Sequence, residues 1–380
     1  MKKNYNKAYT VLIAGGFLLY IGVMTLLNVF KGNDDFSESE NRKLSVKPEF
    51  SFSSFMSGDY VKDYESYISD QFMGRSFFVG LKSNLDTLEG KDEKNGVFIG
   101  ESNQLLQDFQ RRPEEETQEK LGAINEFIGS YEGINTTFML VPTATKVLEE
   151  KLPRYAPVDD EEKYIEEIGA GLNENIRFVN PYEALKSRND EYLYYRTDHH
   201  WTTKGAYVAY TELCKALEIE PKLEEEFVIE QVADDFYGSL SSKIGSEKGK
   251  ADSIEVYFPK ENGEVVVNYM EEQRRTPSLY NSKSLEKKDK YEVFTGGNHP
   301  HINIKSMGDP SKKLLVVKDS YANSMLPFLT SHYGEIDVID LRYYMDNLKE
   351  LVDSKNITDI LFLYNVNTFN EDDSILNLQD

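Results

Sequence analysis

An unbroken apolar run covers residues 8–30, and beyond it the chain changes rhythm three times. Val11-Leu12-Ile13 and Phe17-Leu18-Leu19-Tyr20-Ile21 lie inside this run, which exceeds the ~20 residues a helix needs to cross a bilayer. It predicts a transmembrane anchor. Lys2, Lys3 and Lys7 precede it and mark residues 1–7 as a cytoplasmic tip, with the rest of the chain outside. A cleaved signal peptide is the alternative, but Asn28-Val29-Phe30-Lys31 is a poor cleavage site. Residues 31–50 are polar and read as a stalk. Then Tyr60, Tyr64, Tyr67 and Ile68, followed by Phe77, Phe78, Leu81 and Leu85, recur at helical spacing. They predict two amphipathic lead-in helices between residues 52 and 88, so that stalk and helices occupy 31–95.

From residue 96 to 380, short apolar runs alternate with helical patterns. Thr137-Phe138-Met139-Leu140-Val141, Arg177-Phe178-Val179, Leu314-Leu315-Val316-Val317, Ile336-Asp337-Val338-Ile339 and Ile360-Leu361-Phe362-Leu363-Tyr364 predict strands. Helical patterns fall at 115–129, 161–172, 204–217 and 345–353. The alternation predicts an α/β domain, a mostly parallel sheet flanked by helices. Residues 218–306 break the rhythm with Glu224-Glu225-Glu226 and other charge runs among short alternating pieces. They predict an insertion carrying a hairpin, folded over the edge where the strands end.

Charge narrows the partners. A formal net charge of −23 would repel nucleic acid, which excludes that class. Cys214 is the only cysteine, so no intramolecular disulfide forms, and it reads as a small buried core residue.

Candidate chemistry concentrates in Thr197-Asp198-His199-His200-Trp201, which holds two of the five histidines and the only tryptophan. The run 191–197 before it alternates like a strand, and Thr202 or Thr203 can cap a following helix. On an extended backbone Asp198 and His200 share a face while His199 points away. A carboxylate beside an imidazole is the orienting half of an acyl-transfer triad. Ser320 supplies a nucleophile, in Lys318-Asp319-Ser320-Tyr321 at the carboxyl end of a buried strand. The backbone N–H groups of Ser320 and Tyr321, and the Gly296-Gly297-Asn298 loop through Gly297 and Asn298, are candidate oxyanion donors. Arg342 is a candidate for a substrate carboxylate or sugar hydroxyls, Trp201 for stacking on a sugar ring, and His199 for a pocket wall. The rival reading has Asp198, His199 and His200 ligating zinc with His299 and His301. Adjacent histidines on a strand diverge, so no metal and no cofactor is expected.

Together these blocks resemble the DHHW proteins of Gram-positive bacteria, relatives of the SGNH-like O-acetyltransferase domains of alginate-acetylation proteins. Glu40-Asn41-Arg42, Gly96-Val97-Phe98-Ile99-Gly100, Phe294-Thr295-Gly296-Gly297-Asn298-His299-Pro300 and Asp340-Leu341-Arg342-Tyr343-Tyr344 add to the resemblance. It implies an SGNH-hydrolase-like (flavodoxin-like) fold, with Ser320 as nucleophile, His200 as base and Asp198 as its orienter. Lys318 departs from the Gly-Asp-Ser of ordinary SGNH enzymes. The implied activity is an outward-facing O-acetyltransferase acting on a cell-surface or secreted polysaccharide, fed by a membrane-bound O-acyltransferase. A carbohydrate acetylesterase with the same triad and a non-catalytic glycan-binding or assembly protein are the alternatives.

Overall fold

The structure is a computed structural model that describes residues 2–37, 42–88, 91–247 and 249–379. It divides into two compact units, Met1–Lys91 and Asp92–Asp380.

In the first unit, α1 (Lys2–Phe30) contains a 22-residue stretch, Tyr9–Phe30, long and apolar enough to cross a membrane. Three helices follow instead of the two expected: α2 (Phe52–Ser57), α3 (Asp59–Asp70) and α4 (Arg75–Leu88). The extra break falls at Gly58, whose φ of +89° ends α2 in a left-handed cap that the pattern of apolar positions does not reveal. Of the Glu40-Asn41-Arg42 segment, Glu40 and Asn41 lie outside the described residues. Arg42 pairs with Asp70 at 2.5 Å and, with Ser45 N–H, holds that carboxyl at about 2.

The second unit is built on an eight-stranded sheet. Its strands are β1 (Asn135–Val141), β2 (Ile176–Val179), β5 (Val265–Tyr269), β6 (Arg274–Thr276), β7 (His301–Ser306), β8 (Asp309–Lys318), β9 (Tyr333–Ile339) and β10 (Asp359–Asn365). A separate antiparallel hairpin joins β3 (Phe227–Phe236) to β4 (Asp252–Pro259). The sheet order is β6-β5-β7-β9-β8-β10-β1-β2. The run β9-β8-β10-β1-β2 is parallel, and β7, β5 and β6 extend it antiparallel.

Helices cover both faces, which explains the continuous apolar runs of the central strands. Leu314 and Val316 face a core shared with α7 (Thr203–Leu217) and α9 (Ala322–Leu329). Leu315 and Val317, one residue out of phase, face a core shared with α5 (Glu114–Gly129), α6 (Glu161–Gly171) and α10 (Leu348–Lys355). Each such side chain contributes about 1.5–3 kcal/mol by leaving water.

Two expectations need correction. Residues 191–197 form no strand: only an isolated bridge links Tyr194 to Trp201. The insertion is also more than a hairpin. Its apolar pieces at Val256 and Val267 do not pair with each other; one belongs to the β3–β4 hairpin and the other extends the main sheet.

Candidate functional site

Parallel strands bring their carboxyl ends to one edge, and β8 delivers Ser320 there. Asp319 shapes the turn. Its buried carboxylate accepts Tyr321 N–H at 2.9 Å and Asn365 N–H, from the end of β10, at 2.7 Å. α9 begins at Ala322 and takes no side-chain cap, so the Ser320 hydroxyl is not spent on capping. It lies 2.8 Å from His200 Nε2.

The 196–200 loop is held by the insertion. Asp252, fully buried at the start of β4, accepts Arg196 N–H and Thr197 N–H at 2.8 Å each and Thr197 Oγ1–H at 2.6 Å. Asp198 then folds back on its own chain. Its Oδ1 accepts His200 N–H at 2.9 Å and lies 2.6 Å from His200 Nδ1, while Oδ2 accepts Ser239 N–H at 2.7 Å. An Asx-type turn, not a shared strand face, is therefore what joins Asp198 to His200. With Asp198 as acceptor, Nδ1 carries the ring proton and Nε2 is left to accept the Ser320 hydroxyl. Burial would raise the Asp198 pKa, but His200, His199 and the Ser239 N–H outweigh it and hold the carboxyl far below the usual range.

His199 does not point away. The bent loop brings its ring to 3.8 Å from that of His200, tilted by 38°, and Nδ1 sits 2.6 Å from Ser239 Oγ. Burial, with the neighbouring His200, lowers its pKa and favours the neutral ring. For the same reason the ligand atoms of Asp198, His199 and His200 lie within 4.8 Å of one another, against the divergence expected of a strand. Asp198 is hydrogen-bonded to His200 and His199 to Ser239, and His299 and His301 pair elsewhere, with Glu272 and Asp337.

Three proposed contacts with substrate are overturned. Trp201 is fully buried, its Nε1–H donating to Tyr321 O at 3.0 Å and Ser324 Oγ at 2.9 Å, so it cannot stack on a sugar. Tyr321 N–H is taken by Asp319, and Gly297 N–H donates to Phe294 O at 3.2 Å, so neither is free for an oxyanion. Asn298 uses Oδ1 to accept from Lys318 Nζ at 2.9 Å and Asn323 Nδ2 at 3.1 Å. Among the described residues, its own amide N–H groups and Ser320 N–H remain without a partner. Lys318 is a buried cation paired with Asp340 at 3.1 Å. Arg342 grips the same carboxylate with two bonds of 2.8 and 2.6 Å and stays partly exposed. Burial would raise the Asp340 pKa; the two cations outweigh it and lower it.

Two residues at the site had no signal in the sequence. Tyr291 lies flat against His200, ring centroids 3.7 Å apart and 8° from parallel, and its hydroxyl donates to Ser320 O at 3.0 Å. Ser239, the first residue of α8 (Ser239–Ile244), supplies the N–H that holds Asp198, and the glycine before it is required: a Cβ at Gly238 would collide with the Asp198 side chain. Both residues belong to the insertion, where surrounding charge masked them.

Comparison with known proteins adds the lineage. The family model described as DHHW protein matches residues 99–339. A DHHW family protein from Eubacterium siraeum has a similar structure, with a TM-score of 0.65 and 23% identity over 76% of this chain and 96% of that one. Bacillus cereus PatB1, solved with a sulfonyl adduct, gives 0.62 and 17%, over 73% and 97%. The O-acetyltransferase domain of Pseudomonas putida AlgJ gives 0.48 and 14%, over 75% and 99%. No curated protein sequence matches the chain. The family match spans well over half of the chain and takes in Asp198, His200 and Ser320, and the chain belongs to the DHHW protein family.

Proposed function

We propose that this chain is a membrane-anchored O-acetyltransferase that modifies a cell-surface or secreted polysaccharide through an acyl-serine. The observation that carries the reading is the hydrogen-bonded series Ser320 Oγ, His200 Nε2, His200 Nδ1, Asp198 Oδ1, with spacings of 2.8 and 2.6 Å. His200 Nε2 takes the Ser320 proton as Oγ attacks the acyl carbonyl, and returns it to the leaving group as the acyl–donor bond breaks. An acceptor hydroxyl then gives its proton to Nε2 and attacks the acyl-serine, and Ser320 Oγ recovers the proton. Asp198 stays ionised and steadies the imidazolium throughout. Ser320 N–H and the Asn298 amide are the donors offered to the oxyanion.

Acetyl as the group, a polysaccharide as acceptor and a membrane-bound O-acyltransferase as supplier follow from the family resemblance. The apolar helix near the N-terminus and the lysines before it support an anchor with the second unit outside, and a Gram-positive cell as the setting follows from the family resemblance alone. The test is Ser320→Ala followed by acetyl transfer from a chromogenic ester, with products compared with and without glycan. Loss of turnover with glycan acetylated by the parent protein supports transfer. Free acetate alone identifies an esterase, and undiminished turnover in the variant removes Ser320 from the chemistry.

A further inference from the structure

The end of α3 is bonded to the exit of α1. Gln71 Nε2 donates to Asp34 O at 2.8 Å, Tyr67 O–H to Asn33 Oδ1 at 2.9 Å, and Met73 N–H to Asn28 Oδ1 at 2.8 Å. These bonds fold α3 back beside the last turns of α1 and leave a groove of about 850 Å³. Ile21, Met24 and Val29 of the apolar span form one wall, and Tyr64, Ile68 and Phe72 form the other. At 100° per residue, Tyr60, Val61, Tyr64, Tyr67 and Ile68 share one face of α3, and Lys62, Ser66 and Ser69 lie opposite. Val61 and Ile68 stay about half exposed, at 53% and 50%.

Where the apolar span crosses a bilayer, the wall of Ile21, Met24 and Val29 is bathed by hydrocarbon and not by water. We infer that the groove between α1 and α3 holds the acyl chain of a membrane glycerophospholipid, which seats the aromatic face of α3 at the membrane interface. Lys47 also lines the groove and suits a headgroup phosphate, while Lys31 beside it is paired with Asp34 at 2.6 Å. The polar side of α3 carries Asp59, Asp63 and Glu65 against Lys62. Attraction to anionic lipid is therefore not the driving force. Burial of tyrosine, isoleucine and phenylalanine surface is, so neutral phosphatidylcholine suffices. The inference rests on α1 spanning a membrane.

The test places one new tryptophan in the full-length protein, reconstituted in phosphatidylcholine nanodiscs with or without bromine on the acyl chains. Trp201, fully buried and hydrogen-bonded, gives the constant background. Emission from Ile68→Trp should fall about twofold with brominated lipid, as for a ring at the acyl boundary. Ser69→Trp on the opposite face should not change. Quenching of Leu18→Trp, in mid-span, with Ile68→Trp no more quenched than Ser69→Trp overturns the inference. That holds even if Ile68→Trp emission is blue-shifted, since another protein surface then covers the face. An unquenched Leu18→Trp removes the membrane span itself, and the groove's occupant with it.

Discussion

Replacing Asp198 with asparagine removes one charge and almost no volume, yet the geometry leaves the new side chain no good orientation. Three donors converge on the carboxylate, His200 N–H, His200 Nδ1–H and Ser239 N–H, and the two backbone N–H groups can never act as acceptors. If the asparagine oxygen stays with His200, its NH₂ faces Ser239 N–H. If it flips, the NH₂ faces Nδ1, and the ring is driven to the tautomer whose Nε2 cannot accept the Ser320 proton. Either way a buried N–H loses its partner, at about 1–3 kcal/mol of stability. The catalytic loss is larger. Wrong tautomer and an unsteadied imidazolium together cost about 10⁴-fold in kcat for a triad aspartate, or ~5 kcal/mol at 1.36 kcal/mol per decade. The assay is hydrolysis or transfer of a chromogenic acetyl ester from pH 6 to 9, beside thermal unfolding of both proteins. A variant that folds and keeps kcat within about tenfold of the parent would refute the role given to Asp198.

Other expectations follow from neighbouring contacts. Tyr291→Phe should keep most activity, since the stacked ring remains. Tyr291→Leu should lower kcat about tenfold or more with little change in KM and a shifted pH profile, as expected of a residue that positions His200; equal activity for both variants would leave Tyr291 merely structural. Gly238→Ala should lower kcat by about 10- to 100-fold by displacing Asp198, with about 1–3 kcal/mol of overpacking read in the melt. Unchanged kcat would show that the loop gives way. Glu161, held by Thr143 N–H and Oγ1–H at 2.6 and 2.7 Å, is pushed up to about 7 by burial against those bonds and Lys146. A carboxyl raised in the folded state makes the protein most stable below its unfolded pKa of ~4.3, and stability falls as pH rises through the folded value. Glu161→Gln should flatten melting temperature between pH 5 and 8, removing a slope worth about 3 kcal/mol; parallel curves would contradict the assignment.

The parallel half of the sheet is legible because strands covered on both faces must be apolar throughout, as Leu314-Leu315-Val316-Val317 is. Partner choice is not. Val267 and Val256 have similar short contexts, yet one joins the main sheet and the other a separate hairpin, a decision made by distant strands. Residues 191–197 imitate a strand because Tyr194 and Tyr195 are both buried in a loop, so alternation there records aromatic packing and not a pleat. Asp198, His200 and Ser320 stand out by residue type and turn context. Backbone donors do not: whether the N–H of Tyr321 or Gly297 is free depends on Asp319 and Phe294, whose geometry residue identity leaves open. Trp201 is a similar case, since an indole serves equally in a core and on a sugar platform until its burial is seen.

Peptide mass spectrometry after brief exposure to an activated acetyl ester tests the central claim most directly, with His200→Ala run in parallel. One acetyl group on Ser320 in the parent protein, lost on adding glycan and absent from His200→Ala, is the result the hydrogen-bonded series predicts. An unmodified Ser320, or equal labelling with and without the imidazole, would contradict it.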